Sequence, residues 1–134
     1  MKTQVQLLGD VFNISATKKD RVNNWGGDCY KIKVNNIQFT FTNSQANIGQ
    51  ELSEDDLKFA FRCFIQDAQC VECADFHEFC EEFGYNRYDD FTEGLNKESK
   101  KIYNACNRSL KSAGRLTDLD LCDILCELSE QGIE

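Results

Sequence analysis

The stretch CYKIKVNNIQFTFT, at positions 29–42, constrains the fold of this chain more than any other. Apolar and polar side chains alternate on both sides of the Asn35–Asn36 pair, which is the pattern of two strands that each bury one face. A two-residue Asn-Asn connection tolerates positive φ at both positions and predicts a type I′ β-hairpin. With this loop length Val34 opposes Ile37. One face of the hairpin then holds all six apolar residues: Tyr30, Ile32, Val34, Ile37, Phe39 and Phe41.

The residues before the hairpin extend the predicted sheet. The stretch QVQLLGDVFNISA is rich in β-forming residues, and Gly9-Asp10 indicates a bulge or turn that divides it into two strands. Between this stretch and the hairpin, TKKDRVNNWGGD is polar and basic, with one Trp beside two Gly, and predicts a loop. Residues 1–49 therefore form the β-rich part of the predicted fold.

The spacing of the apolar residues becomes helical after residue 53. Ser53 precedes three acids and is predicted to cap a first helix that ends near residues 67–68. The buried face of this helix is predicted to contain Leu57, Phe61, Phe64 and Ile65. A later helix over NKESKKIYNACNRSLKSAG is predicted to end at Gly114. Its predicted inner side contains Ile102, Tyr103, Cys106, Leu110 and Ala113.

A final helix is predicted to begin at Thr117. Its buried residues are predicted to be Leu121, Ile124, Leu125 and Leu128, with Cys122 and Cys126 also in the core. Together these patterns predict an α+β fold in which an N-terminal antiparallel β-meander packs against three to four C-terminal helices. The 134 residues are predicted to form a single domain, with residues 50–134 as its helical part.

Composition favours a soluble protein of the cytoplasm. The start MKTQVQLLGDVFNIS lacks the apolar run of a signal peptide, and nowhere do about 18 apolar residues occur together. In the cytoplasm the eight Cys are expected to be reduced. We therefore expect no membrane partner.

Charge is distributed unevenly along the chain. Residues 1–49 carry six Lys or Arg against three acids, whereas residues 50–134 carry nine against twenty. An acidic half repels nucleic acid and attracts basic surfaces, so we expect no direct binding of nucleic acid. The alternative interpretation is a solvated acidic surface that keeps the protein in solution.

The cysteine-rich stretch CVECADFHEFCEEFGY, at positions 70–85, has two interpretations. One is a zinc-stabilised nucleic-acid-binding or regulatory module whose ligands are Cys70, Cys73, His77 and Cys80. The other is a short helix that Asp75 and Glu78 cap and Gly84 ends. The inner face of this helix would contain Phe76, Phe79, Cys80 and Phe83.

Geometry favours the short helix. In one continuous helix Cys70 and Cys80 would lie about 15 Å apart along the axis, whereas thiolates that share a zinc ion each lie about 2.3 Å from it. A zinc site would therefore require the loop to fold back and Cys80 to leave the Phe face. We predict that the protein has no cofactor, with zinc as the alternative.

Catalysis by a Cys–His pair in this stretch is disfavoured. Nucleophile, base and orienting group normally come from different elements around a cleft. The sequence contains one His, no glycine-rich phosphate loop and no G-x-S-x-G motif. We therefore predict that the chain is not an enzyme.

The residues EEFGYNRYDDFTEG, at positions 81–94, combine carboxylates with tyrosines. Tyrosine supplies buried area with a hydrogen-bonding end, and carboxylates pair with Arg and Lys, so this mixture suits a basic partner. The alternative is that the aromatic residues fix a loop to the core while the acids face water. The predicted partner-binding residues, which we call the acidic-aromatic patch, are Glu81, Glu82, Tyr85, Tyr88, Asp89, Asp90 and Glu93.

Several of these motifs together resemble a group of small proteins common in bacteriophages and mobile elements. The resemblance covers roughly residues 17–128 and includes the Trp-containing turn, the hairpin and the hallmark F-x-x-F-C-x-E-F-G-Y. The residues that match the hallmark are Phe76, Phe79, Cys80, Glu82, Phe83, Gly84 and Tyr85. The chain departs from the group at Cys70, Cys73 and His77, and residues 86–96 resemble an insertion.

The resemblance implies a phage accessory protein that works in the cytoplasm of a bacterial host. Small acidic phage proteins without catalytic motifs often resemble inhibitors of host defence, anti-CRISPR proteins among them. The resulting hypothesis is a stoichiometric, anti-CRISPR-like inhibitor that binds a bacterial defence protein with a basic groove, such as a CRISPR effector, through the acidic-aromatic patch. A third hypothesis, after the zinc module, is a protein that binds a small signalling molecule between sheet and helices.

Overall fold

The structure is a computed structural model that describes residues 2–22, 28–42, 52–72, 74–76, 78–79 and 93–133. Within these ranges four strands come first: β1 (Lys2–Leu7), β2 (Asp10–Val22), β3 (Asp28–Val34) and β4 (Ile37–Thr42). Three helices follow them: α1 (Glu54–Cys70), α2 (Glu93–Leu116) and α3 (Leu121–Glu130). The predicted α+β class is therefore confirmed.

The strands form one antiparallel sheet in the order β1-β2-β3-β4, so each strand pairs with the next along the chain. This arrangement confirms the predicted meander. The predicted loop after residue 16 is wrong at its start, because β2 continues as a strand to Val22 and pairs with β3 at Asp28. Backbone hydrogen bonds to β3, with pairs at Lys18 and Val22, stabilise the strand here. The side chains of this polar stretch do not show the alternation that would predict a strand. The register shifts between Lys18 and Val22.

Two-residue turns connect β1 to β2 and β3 to β4. Leu8 and Gly9 form the first turn with φ values of 51° and 90°, the signs that a type I′ hairpin requires. The sequence pattern had indicated Gly9-Asp10, one residue later. In the second turn only Asn35 has positive φ, at 52°, so the predicted type I′ turn is wrong although the predicted pairing of its flanking residues is right.

A contact with a neighbouring strand explains the conformation of the second turn. The side-chain Oδ1 of Asn35 accepts a hydrogen bond from the backbone amide of Asn13 at 2.9 Å. The backbone amide of Asn35 in turn donates to the carbonyl of Asn13 at 2.9 Å. These two bonds attach the β3–β4 turn to β2.

One face of the sheet is buried and the other is open to solvent. The buried face carries Val5, Leu7, Phe12, Ile14, Tyr30, Ile32, Val34 and Ile37, each at most 6% exposed. Phe39 and Phe41 are half-buried against the same core, so the six apolar residues of the hairpin share one face, as predicted. The ring of Phe39 stacks on that of Phe64 in α1 with centroids 4.6 Å apart.

The first helix begins as the sequence predicts. Ser53 Oγ accepts a hydrogen bond from the Asp56 amide at 3.1 Å, and the Asp56 carboxylate accepts one from the Ser53 amide at 2.9 Å. These reciprocal bonds form a capping box. The helix continues past its predicted end to Cys70, because Ala68 extends the buried face. The predicted buried residues are confirmed at Leu57, Phe61, Phe64 and Ile65.

The second described helix does not end at Gly114. It continues to Leu116, which packs against the main core, so the added residues are stabilised by the burial of apolar area. Cys106 and Ala113 are buried as predicted, and Tyr103 and Leu110 are half-buried. Ile102 was predicted to face inward but is 41% exposed, so that prediction is wrong.

The last helix begins at Leu121 rather than at Thr117. Asp120 caps it, because its Oδ1 accepts a hydrogen bond from the Asp123 amide at 3.1 Å. The Thr117 hydroxyl instead accepts from the Leu119 amide at 3.1 Å, in the turn before the helix. Three predicted core residues are buried: Leu121, Ile124 and Leu128; Leu125 is half-buried, and Cys122 and Cys126 are exposed, against the prediction.

The helices cover the buried face of the sheet as a second layer. α1 contacts β1, β2 and β3, while α2 contacts α1 and β4, and α3 contacts α1 and β1. α1 is therefore the central helix of the layer, with α2 on the β4 side and α3 on the β1 side. The outer sides of both flanking helices remain exposed to solvent.

Candidate functional site

The acidic-aromatic patch lies almost entirely outside the described residues. Glu81, Glu82, Tyr85, Tyr88, Asp89 and Asp90 fall in the part of the chain that the structure does not describe. Glu93 is the first residue of α2, and only its backbone is described. The assignment of these residues to a partner surface therefore stays a prediction.

The described residues just before the patch are packed against α2. A small second core contains Val71, Phe79 and Cys106, with Tyr103 beside it. The Tyr103 hydroxyl donates a hydrogen bond to the Ala74 carbonyl at 3.1 Å. The centroid of the Tyr103 ring lies 5.4 Å from that of Phe79 and 5.6 Å from that of Phe76. These contacts hold Val71, Ala74, Phe76 and Phe79 on α2.

The helical turn predicted at this position is present in the described residues. Phe76, Glu78 and Phe79 have helical backbone. Asp75 caps the turn, because its Oδ1 accepts a hydrogen bond from the Glu78 amide at 2.9 Å and its carbonyl accepts from the Phe79 amide at 2.9 Å. The Asp75 half of the predicted capping box is therefore confirmed.

Exposed carboxylates accompany this packed segment. Four acidic residues between the last turn of α1 and the short helical turn are exposed: Asp67, Glu72, Asp75 and Glu78, which we call the acidic rim. Val71 and Phe79 in the same stretch are buried, so these apolar side chains face the protein while the acids face solvent. The rim directly precedes Glu81 and Glu82 in the sequence. It extends the predicted acidic surface into the described part of the chain.

Three of the four alternative zinc ligands, Cys73, His77 and Cys80, lie outside the described residues. The fourth, Cys70, is the last residue of α1 and is half-buried. Within the described ranges, no three His, Cys, Asp or Glu side chains are grouped so that they would hold a metal ion. The zinc site therefore stays a prediction.

Two thiols next to the rim are held in the protonated form. Burial, followed by the nearby Asp67 and Cys70, raises the pKa of Cys106 to about 11. Burial and Asp67 also raise the pKa of Cys63, against the lowering effect of Arg62. The thiolate is the form that attacks electrophiles and binds metals. At neutral pH neither thiol is suited to these roles. Cys106 is buried and Cys63 is half-buried, and both act as small apolar groups.

A basic surface that the sequence-based interpretation missed runs along α2. It consists of exposed Lys and Arg residues, which we call the α2 basic stripe: Lys97, Lys100, Lys101, Arg108, Lys111 and Arg115. At about 100° per residue these side chains fall within an arc of about 100°, opposite Cys106 and Ala113. From Lys97 to Arg115 the stripe is about 27 Å long. The sequence feature that predicts this stripe is the spacing of its basic residues along a helix. The net charge of residues 50–134 as a whole is negative and does not reveal it.

The open face of the sheet is also polar. Strand pairing places Lys2, Ser15, Lys33 and Gln38 side by side across the four strands. In the next row Gln4 Nε2 donates a hydrogen bond to Asn13 Oδ1 at 2.7 Å. A shallow depression of about 490 Å³ on this face is lined by Lys2, Thr3, Gln4, Asn13, Ile14, Ser15, Lys33 and Asn35. It lies on the face away from the helices, whereas the third hypothesis placed a small molecule between the two layers.

Comparisons of this chain with family models, with curated proteins and with solved structures found no match. Among the helices of the described residues, none combines the length and apolar character needed to cross a membrane.

Proposed function

We propose that this protein is a binding protein rather than an enzyme, and that it binds a basic surface of another macromolecule. The binding surface consists of the acidic rim together with the acidic-aromatic patch that follows it. The specific form, which the phage resemblance implies, is stoichiometric inhibition of a bacterial defence complex such as a CRISPR effector in the host cytoplasm.

The observation that supports this proposal is the combination of a packed base with exposed acids. Tyr103, Phe79 and Val71 attach the segment to α2, while the rim carboxylates remain exposed. Acids on a preorganised segment lose little conformational entropy when a partner binds. They also attract a basic partner during encounter and fix its register on the surface. The raised thiol pKa values beside the rim give no support to a nucleophilic site there.

The test measures DNA cleavage by a panel of purified, guide-loaded CRISPR effectors as the protein is titrated in. We expect complete inhibition of at least one effector at an equimolar ratio. The variant Asp89→Lys/Asp90→Lys/Glu93→Lys should weaken inhibition at least about tenfold, because charge pairs across an interface are replaced by repulsion. Lack of inhibition across the panel would overturn the anti-CRISPR form of the proposal.

Two further variants examine the acidic rim against a matched control. Glu72→Lys/Glu78→Lys reverses two rim charges and should also weaken inhibition. Asp118→Lys/Glu130→Lys makes the same change in net charge at exposed positions around α3 and should inhibit like the original protein. Circular dichroism confirms that each variant is folded. Full inhibition by both folded rim and patch variants would remove these carboxylates from the proposal.

A further inference from the structure

Among the described residues, the α2 basic stripe lies away from the side of α2 that packs on the core. The side of α2 that packs on the core carries Ser99, Cys106 and Ala113, all buried, and the stripe lies on the opposite side. Six of the fifteen Lys and Arg residues of a chain with net charge −8 are gathered there. The two acids of α2 lie near its start: Glu93 precedes Lys97 by four residues and Glu98 precedes Lys101 by three, whereas the other four cations have no acid at these spacings within the helix.

The stripe also opposes helix formation by itself. Lys97 and Lys100 are three residues apart, as are Arg108 and Lys111, and Arg115 follows Lys111 by four residues. Side chains at these spacings are neighbours on a helix surface, and like charges there are destabilising. The cations in the first half of α2 also receive no help from the helix dipole, which favours cations near the C-terminus. Binding of an anionic ligand would relieve the repulsion between these cations, and such a ligand would explain why the helix carries them together.

We propose that the α2 basic stripe binds the phosphodiester backbone of a nucleic acid. The stripe is about 27 Å long, and a nucleic acid strand presents several phosphates within such a length, so its six cations can pair with successive phosphate groups. Exposed Asn104 lies within the stripe and adds an amide that donates to phosphate oxygens. A linear row of flexible cations reads no base edges, so the binding is independent of sequence.

The composition of the stripe distinguishes this ligand from an acidic protein. Stable protein interfaces have an apolar or aromatic centre and are depleted in Lys. Among the α2 residues whose side chains the structure describes, the one exposed large apolar residue is Ile102, which is about 140° around the helix axis from Lys97 and outside the stripe. The stripe therefore offers charge without an apolar anchor, which suits a phosphate backbone.

The net charge of the chain does not prevent this binding. At physiological ionic strength the Debye length is about 8 Å, so exposed acids farther than this from the stripe contribute little. The expectation that the acidic half repels nucleic acid averaged over residues 50–134, whereas α2 alone carries six Lys or Arg against two Glu. This inference uses a different surface from the proposed function and does not depend on it.

The first experiment measures binding of fluorescein-labelled oligonucleotides of roughly 20 nucleotides, longer than the stripe, by fluorescence anisotropy. Single-stranded DNA, RNA of the same sequence and duplex DNA are compared, since all three present the phosphodiester backbone. For a single strand, six phosphate contacts predict a log–log salt slope of about −4 and an affinity loss of about 300-fold between 50 and 200 mM salt. A shuffled sequence should bind equally well. Absence of binding at 50 mM salt to all three would overturn the proposal.

The second experiment compares two triple variants with the same change in charge. Lys100→Gln/Arg108→Gln/Lys111→Gln removes half of the stripe and should lower the single-strand affinity at 50 mM salt at least about 30-fold and reduce the slope by about 2. The matched control, Lys2→Gln/Lys31→Gln/Lys33→Gln, removes three exposed lysines from the open sheet face and should leave both values near those of the original protein. Equal losses in the two variants would overturn the assignment to α2.

Two controls test whether the binding depends on the positive charge of the stripe and on the phosphate backbone of the ligand. The charge-conserving variant Lys97→Arg/Lys100→Arg/Lys111→Arg should retain the affinity, and the Gln variant should melt no lower than the original protein because it relieves like-charge repulsion. Polyglutamate of matched charge should compete at least about tenfold less well than the oligonucleotide. Equal competition by polyglutamate would overturn the phosphate backbone as ligand and indicate an acidic protein instead.

Discussion

The same substitution at two glycines should change stability in opposite directions. Gly9, in the β1–β2 turn, has a φ of 90°, whereas Gly114 lies within α2 in helical conformation. A Cβ atom added at either position would meet no non-neighbouring atom within 4 Å. Gly9→Ala and Gly114→Ala therefore add the same methyl group without a clash, and only the backbone preference differs.

The expected magnitudes follow from those preferences. An L-residue in the left-handed region costs about 1–2 kcal/mol, while the lower entropy of the unfolded chain returns about 0.4–1 kcal/mol. We expect Gly9→Ala to lower the free energy of unfolding by about 1 kcal/mol. In the helix interior Ala is better than Gly by about 0.8–1 kcal/mol, so Gly114→Ala should raise the free energy of unfolding by a similar amount.

Urea denaturation followed by far-UV circular dichroism, with a reductant present for the cysteines, measures both values. The two variants should differ by about 2 kcal/mol. Leu8→Asn gives a third measurement, because Leu8 is 50% exposed with a φ of 51°, and Asn tolerates that φ better. This variant should be more stable than the original protein. Equal stability of the two glycine variants, or a loss at Gly114, would refute the reasoning from backbone conformation.

Four further outcomes are expected. Ser99 is fully buried and its hydroxyl has no hydrogen-bond partner among the described residues, so Ser99→Ala should raise the free energy of unfolding by about 1 kcal/mol in urea titrations; a loss of that size would reveal a partner. Asp67 is exposed as a residue, but partial desolvation of its carboxylate raises its pKa above the ordinary value of 3.8, so the charged form opposes folding. Asp67→Asn should therefore stabilise the protein at neutral pH and have no effect well below pH 3.8, and a gain that is equal at both would contradict this cause. At about pH 8, iodoacetamide should label exposed Cys122 and Cys126 at least about 100-fold faster than buried Cys106, whose pKa is about 11; peptide mapping gives the rates, and comparable labelling would contradict the packing around α2. Elemental analysis should find far less than one zinc per chain, and EDTA should not change the melting temperature, whereas stoichiometric zinc and a lower melting temperature in EDTA would favour the zinc-stabilised module.

The sheet could be predicted wherever the pattern of apolar and polar residues within a single strand determines which face is buried. Alternation in the hairpin determined which side chains are buried, because a register shift by one residue would move the whole apolar set to solvent. The turn type could not be predicted in the same way, since the bonds between Asn35 and Asn13 join residues that are distant in sequence. The end of β2 was missed for a similar reason, because its polar residues are held by pairing with β3.

Helix ends that depend on contacts between residues close in sequence could be predicted, and those that depend on contacts with distant residues could not. The capping box of Ser53 and Asp56 is local and was predicted correctly. Thr117 and Asp120 are both good cap residues, and the choice between them depends on which one orients the first buried Leu toward the core. Gly132 was not singled out in the sequence, yet its φ of 79° places it just after the cap of α3. There the Ile133 amide donates to the Leu128 carbonyl at 2.9 Å, as in a Schellman motif.

The candidate surfaces were predicted only in part. The acidic-aromatic patch is predicted from composition alone, and because all of it except the backbone of Glu93 lies outside the described residues, it stays a prediction. The α2 basic stripe required the extent and orientation of the helix, because its six cations are interrupted in the sequence by apolar and small residues. Net charge is a property of the whole chain, whereas a ligand responds to the charge within about one Debye length of its own surface.

The two charged surfaces belong to neighbouring helices, since the rim begins in α1 and the stripe follows α2, which packs against it. A defence complex loaded with nucleic acid presents basic protein and phosphate backbone close together, so one copy of the chain would contact both. The contributions would then differ in their response to added oligonucleotide: free nucleic acid would compete for the stripe and leave the rim available. Binding that is weakened by oligonucleotide in the original protein, but not in the stripe variant with Gln at three positions, would show that both surfaces act in one complex. Equal weakening in the two proteins would mean that the oligonucleotide displaces the acidic surface from the partner's groove, and the stripe would then have no part in that complex.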